Sequence, residues 1–143
     1  MDFISPYIIA GAAGWLVAQG LKYIINSIKG RKFKNIRQLY LSGSMPSAHT
    51  ATVIAVVVVI AFKDGIESGL FGLAVLFASV VMYDAVMVRR SSGEQGIAIA
   101  ALIKEKASKV LSPRVAKGHT PIEVVGGFIT GWIIGLLTVF LFV

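Results

Sequence analysis

The chain of 143 residues holds two histidines, and each sits beside a proline at the start of an apolar stretch: Pro46-Ser47-Ala48-His49 and His119-Thr120-Pro121. Glu123 follows His119 by four residues, a spacing that puts both side chains on one helix face if His119 is helical. A carboxylate accepting from one ring nitrogen leaves the other free as nucleophile or base. A second imidazole near the leaving oxygen would serve as general acid, with an ordinary pKa of about 6.5. Lys22 and the pair Arg89-Arg90 supply cationic donors for phosphoryl oxygens, and helix starts at Pro46 and Pro121 add amide dipoles. This chemistry is phosphoryl transfer. Too few carboxylates converge for a two-metal site. Asp84 and Glu123 offer ligands for one ion at most, so neither metal nor cofactor is expected.

Each residue taken singly has a plainer role. Lys22 suits an interfacial anchor that snorkels to the head groups, and Arg89-Arg90 a stop-transfer pair. Ser47 and Thr50 suit the start of a helix. Thr120-Pro121-Ile122-Glu123 matches a capping box, with Thr at N-cap and Glu at N3. On that reading Glu123 bonds backbone amides and His119 lies just outside the helix. Ionisable residues within apolar spans cost several kcal/mol and default to function. Here they converge: Lys22, Ser47, His49, Asp84, Arg89, Arg90, His119 and Glu123 come from every apolar segment yet gather at one membrane face.

The elements that carry them are membrane helices. Hydrophobic residues make up 56% of the chain and charged ones 15%, against about 45–50% and about 25% in soluble domains. Mean hydropathy is +0.80. The sequence predicts an all-α integral membrane protein in one domain, residues 1–143, with four spans at about 5–28, 46–62, 68–88 and 120–143. The β-branched run Val56–Ile60 reads as helix rather than strand, because an open strand edge is excluded in lipid. Lys63-Asp64-Gly65-Ile66-Glu67 makes a tight hairpin. Ser91-Ser92-Gly93 is expected to break the third helix, and Gln95–Leu111 to form a separate amphipathic helix on the membrane surface. The first segment does not read as a cleavable signal peptide, since no basic residue precedes it. Cysteine is absent, which excludes disulfides, thiolate metal sites and a thiol nucleophile.

Net charge is +7, which in a membrane protein points to cytoplasmic loops, anionic head groups or phosphate ligands before nucleic acid. With the spans so placed, 13 of 14 basic residues, all but Lys63, lie on one side. The positive-inside rule makes that side cytoplasmic, with both termini outside and the active site facing in, as expected for a multi-pass protein of the cell membrane. The cytoplasmic side carries +9 and the outer side −2. On the last span, Gly127, Gly131 and Gly135 form a stripe that permits close helix approach. It serves either packing within the chain or a homodimer.

The strings Ser-Gly-Ser-Met-Pro-Ser-Ala-His-Thr, Tyr-Asp-Ala-x-x-Val-Arg-Arg and Gly-His-Thr-Pro-x-Glu-Val, with Lys22-x6-Lys29 upstream, resemble the type-2 phosphatidic acid phosphatase superfamily. They look most like its divergent branch related to acid phosphatases and vanadium-dependent haloperoxidases. The resemblance covers nearly the whole chain. It implies metal-independent hydrolysis of a lipid phosphate or diphosphate through a phosphohistidine. By it, His119 corresponds to the nucleophile, Glu123 to its orienting carboxylate, and His49 to the acid. Ser47 and Lys22 match phosphate contacts, and Arg89-Arg90 take over a missing guanidinium. Lys29 replaces the arginine of the first motif, Glu123 replaces an aspartate, Arg114 is separated from His119 by four residues rather than five, and four spans replace six. A non-catalytic anionic-lipid binding or transport protein on the same scaffold is the competing expectation, and a small structural subunit a third. Both histidines and the glutamate favour the enzyme, since binding alone needs only the cations.

Overall fold

The computed structural model describes residues 4–29, 44–106, 110–113, 115 and 118–143. The basic loop residues Arg31, Lys32, Lys34 and Arg37, together with Lys109, Arg114 and Lys117, lie outside them. The first helix, α1, spans Pro6–Ile28 with Pro6 in its first turn, where a missing N–H costs nothing. Helix α2 spans Ala48–Lys63 and α3 spans Gly69–Tyr83. A π-helical turn, Asp84–Val88, joins α3 to α4, Arg89–Glu105. Helix α5 spans Pro121–Phe142.

Helix α2 is the centre, packed against α1, α3 and α5. Its β-branched run is helical, as expected where every backbone group must find its partner inside the segment. The buried face of α1 is Pro6, Ala10, Gly14, Ala18, Lys22 and Asn26, one residue in every four. Small side chains fill most of the stripe, and the last two positions are polar. A Cβ on Gly14 would lie 2.8 Å from the Ala51 carbonyl oxygen of α2. From the other side, α5 presents Gly127, Gly131 and Gly135, all buried. Added Cβ atoms there would meet the Ser47 carbonyl oxygen at 2.5 Å, that of Ala51 at 2.5 Å and Val58 Cβ at 2.6 Å. The glycine stripe therefore serves packing within the chain, the first of its two expected roles, rather than the contact with a second copy.

The end of the bundle away from Lys22 is closed by a small polar cluster. Tyr7 donates to Asp64 at 2.7 Å, and Lys63 Nζ sits 5.5 Å from the Tyr7 ring centre. Gly65 turns the hairpin with φ of 86°, and Ser68 caps α3 by accepting from the Phe71 N–H. The start of α1, the end of α5 and this hairpin share one end, while Lys22, Ser47 and His119 share the other.

Two sequence expectations change here. Ser91-Ser92-Gly93 does not break the third helix: it is helical without interruption from Gly69 to Glu105. Helix propensity is a weak force of at most about 1 kcal/mol per glycine. Gly93 and Gly96 are buried, and Gly93 shares the lining of a pocket with Gly118, His119 and Thr120, so the glycine lies on the face turned to the rest of the chain. The amphipathic segment is accordingly the far half of this helix, ending at Glu105, and Val110–Ser112 are not helical. A helix of 37 residues is about 55 Å long, well beyond the roughly 30 Å of hydrocarbon. Its surplus is α4, where the charges begin. Among the described residues, three helices are long and apolar enough to span a membrane; α2, with 16 residues, is shorter.

This packing generates a contrast between two glycines. Gly131→Ala should lower the thermal midpoint in detergent by the equivalent of about 1–3 kcal/mol, because its methyl would overlap the α2 backbone. Gly20→Ala, where an added Cβ meets nothing within 4 Å, should leave it unchanged or raised. Equal midpoints for the two variants would refute the packing.

Candidate active site

At the polar end of the bundle, α1 supplies Lys22 and Asn26. Asn26 Nδ2 donates to the Lys22 carbonyl at 2.9 Å and to Ser44 Oγ at 3.1 Å, tying α1 to the chain that leads into α2. Lys22 is only 3% exposed. Among the described residues its ammonium has neither an ion-pair nor a hydrogen-bond partner. Glu123, His49 and His119 lie within its electrostatic reach.

The start of α2 is fixed by Ser47, which is fully buried. Its Oγ accepts from the Thr50 hydroxyl at 3.0 Å and from the Thr50 N–H at 3.5 Å. Its own N–H donates to the Glu123 carbonyl at 3.0 Å, so the starts of α2 and α5 are joined. Ser47 is thus a helix cap beneath the site, with its hydroxyl proton still to give. His49 follows in the first turn of α2, exposed, with Arg89, His119, Lys22 and Asp84 as its charged neighbours.

Glu123 resolves two readings that the sequence left open, because it performs both roles. One oxygen, Oε2, accepts from the Thr120 N–H at 2.9 Å, the carboxylate half of a capping box, and contacts His119 Nδ1 at 3.2 Å. His119 therefore lies outside the helix, as the capping reading requires, and is still oriented by Glu123. Donation from Nδ1 leaves Nε2 as the ring's free lone pair. The imidazole is buried, at 9% exposure. That burial pushes its pKa below the usual range, while the Glu123 hydrogen bond and charge pull the other way.

The segment carrying His119 is held by its backbone. The Arg89 N–H reaches back to the Asp84 carbonyl in the π turn, and the Ala85 carbonyl accepts from the His119 N–H at 3.0 Å. Gly118 lies directly on the helix: a Cβ there would be 2.3 Å from the Arg90 nitrogen. Only glycine fits. Arg89 pairs with Asp84 through Nε. Arg90 instead pairs with Glu94 at 3.2 Å, both well exposed, a surface pair of small energetic weight. Arg90 lines a shallow pocket beside His119 with Gly93, Glu94 and Ile97.

The structure thus brings together Lys22, His49, Arg89, His119 and Glu123, with Asp84 among them. It places Ser47 below them and directs Arg90 sideways. Sequence reasoning missed the Ala85 carbonyl and Gly118. Gly118, next to a singular histidine, left a trace in the sequence; Ala85 left none, because a carbonyl has no residue type. Among the described residues, no group of three or more His, Cys, Asp or Glu side chains is placed to hold a metal ion.

Fold and site together define a helical membrane protein with a buried cationic centre and two imidazoles at one end of its bundle. The chain belongs to the divergent PAP2 family, whose sequence profile matches residues 3–134. It is similar to the uncharacterized membrane protein YuiD of Bacillus subtilis (strain 168), with 32% identity over 99% of each chain. No solved structure matches it.

The state of His119 is open to direct measurement. Its imidazole should titrate below about 6.5 by NMR. Glu123→Gln removes the charge that favours the protonated ring, so the midpoint should fall further. A midpoint above that of a free imidazole, or a rise in the variant, would contradict the buried, Glu-oriented ring.

Proposed function

We propose that this protein is a membrane phosphatase that hydrolyses a lipid phosphate or diphosphate monoester through a phosphohistidine, without a metal. The observation that carries the reading is Lys22: a buried ammonium lacking any partner among the described residues, within electrostatic reach of two imidazoles. A buried unpaired charge costs several kcal/mol, and an anion that docks there removes the cost. Family membership supports the phosphate-ester class.

In this mechanism, Lys22 and Arg89 neutralise the phosphoryl oxygens and Ser47 donates its hydroxyl proton to one of them. Nε2 of His119 attacks the terminal phosphorus, and its bond to the leaving oxygen breaks. His49 gives its proton to that oxygen as the lipid alcohol departs, or the lipid monophosphate where the substrate is a diphosphate. Water then attacks the phosphohistidine, His49 takes its proton, and inorganic phosphate leaves with His119 restored. Glu123 holds the nucleophile's tautomer and offsets its developing positive charge.

A second reading, anionic-lipid binding or transport without turnover, is favoured by the cations alone. Phosphate release from a panel of lipid phosphates by purified protein separates the two. His119→Ala and His49→Ala should each reduce release by about a hundredfold or more, Glu123→Gln less completely, and EDTA should have little effect. Undiminished release by His119→Ala would refute the phosphohistidine; loss with EDTA would bring a metal back.

We further propose that α2 crosses as a fourth span, that the site opens to the cytoplasmic leaflet, and that both termini lie outside. The asymmetry of basic residues supports this orientation. The native chain has no cysteine, so single substitutions can report sidedness. In intact cells, a cysteine at Glu67 should react with an impermeant maleimide and one at Ser91 should not. Glu67 is preferable to Gly65, whose positive φ a side chain would strain. The reverse pattern would place the site outside.

A further inference from the structure

Asp84 has no part in the chemistry above, yet its pairing with Arg89 depends on an unusual piece of backbone. In a regular α-helix, residues five apart point about 140° away from each other. Between Asp84 and Arg89 the chain makes a π turn, with the Arg89 N–H closing on the Asp84 carbonyl. Such turns widen the helix by one residue and recur at functional sites. Here the widening brings the two side chains to one side, where Arg89 Nε donates to Asp84 Oδ2. The same turn leaves the Ala85 carbonyl to receive the His119 N–H at 3.0 Å. One backbone feature thus sets both a cation and an imidazole.

We propose that the Asp84–Val88 π turn assembles the anion site, and that Asp84 is a positioning residue holding Arg89 by Nε so that its two terminal nitrogens face the bound phosphate. This rests on the reading of the site as a phosphomonoester site. Guanidinium presents a rigid fork of five N–H donors; one is used by Asp84, and the terminal ones remain in the geometry that grips phosphate bidentately. The Arg89 and Asp84 side chains are 48% and 34% exposed. A pair so exposed adds little to folding stability, so its value lies in limiting where a long side chain can go. His49 lies within electrostatic reach of both partners, so the held fork and the imidazole that protonates the leaving group share one region.

The test is a double-mutant cycle on the full chain in detergent: Asp84→Ala, Arg89→Gln and the two together. Two ligands are used, inorganic phosphate for binding by calorimetry and short-chain phosphatidic acid for binding and turnover. Asp84→Ala should weaken phosphate binding about tenfold and raise KM for the lipid similarly, with a smaller change in kcat. The double variant should be no weaker than Arg89→Gln alone, because Asp84 acts only through Arg89. Asp84→Glu should recover most of the loss. Asp84→Asn, which keeps an oxygen for Nε in the same volume, should lose less than the alanine and guards against a misfolded variant. Losses that multiply in the double variant would overturn the proposal, as would tighter binding by Asp84→Ala, which would make the carboxylate a competitor for Arg89. Binding of the lipid but not of inorganic phosphate would assign the ligand to the head group, and the cycle is then read on the lipid. Coupling in binding without any turnover would sustain this inference while refuting hydrolysis. Turnover with an additive cycle would do the opposite.

Discussion

The close approach of α5 to α2 is the constraint on which the remaining geometry depends. Gly127, Gly131 and Gly135 leave no room for a side chain against the α2 backbone. In lipid, apolar side chains gain nothing by leaving one hydrocarbon environment for another, so helices associate through close packing and a few hydrogen bonds. That contact puts the first turns of α2 and α5 side by side, where the Ser47 N–H donates to the Glu123 carbonyl. The two helix starts then lie at the same end of the bundle, and His49 and His119 arrive there within electrostatic reach of each other.

Lys22 reaches the same place by a different route. The stripe of α1 that packs on α2 is made of small residues until its last two positions, and the four-residue period carries the polar pair onto the buried face. Asn26 satisfies its own amide hydrogens locally. Lys22 does not, and a bundle this thin has no second layer to shield it. The ammonium is tolerated because it sits at the end of the bundle, where the start of α5 brings the Glu123 carboxylate within electrostatic reach.

Much of this was legible in the sequence because it is written in residue types. Apolar runs gave the helices; the isolated polar residues gave the cluster, and their position at segment ends gave its common face. Glu123 was legible twice over, as a cap and as a partner for His119, and the sequence could not choose because a single oxygen does both. The continuous third helix was not legible. Ser91-Ser92-Gly93 carries a breaker's composition, but Gly93 lies on the buried face of the helix, and packing outweighs propensity. The π turn was hidden more completely. Asp84-Ala85-Val86-Met87-Val88 reads as an ordinary helical stretch, since the extra backbone register is set by what the turn must hold rather than by any side-chain signature.

That hidden register explains how a cation on a membrane helix and a nucleophile on an irregular segment are kept in step. Backbone polar groups freed at a π turn must be satisfied by something other than the helix itself, the more so in apolar surroundings. The Ala85 carbonyl is satisfied by the His119 N–H, and Gly118 removes the side chain that would prevent the approach. His119 is thereby fixed at three points: its N–H on α3's extension, its ring on Glu123, and its successor Thr120 on the same carboxylate. A residue between two flexible-looking segments becomes as well determined as one within a helix, which is what an imidazole needs if it is to present one nitrogen in a constant direction.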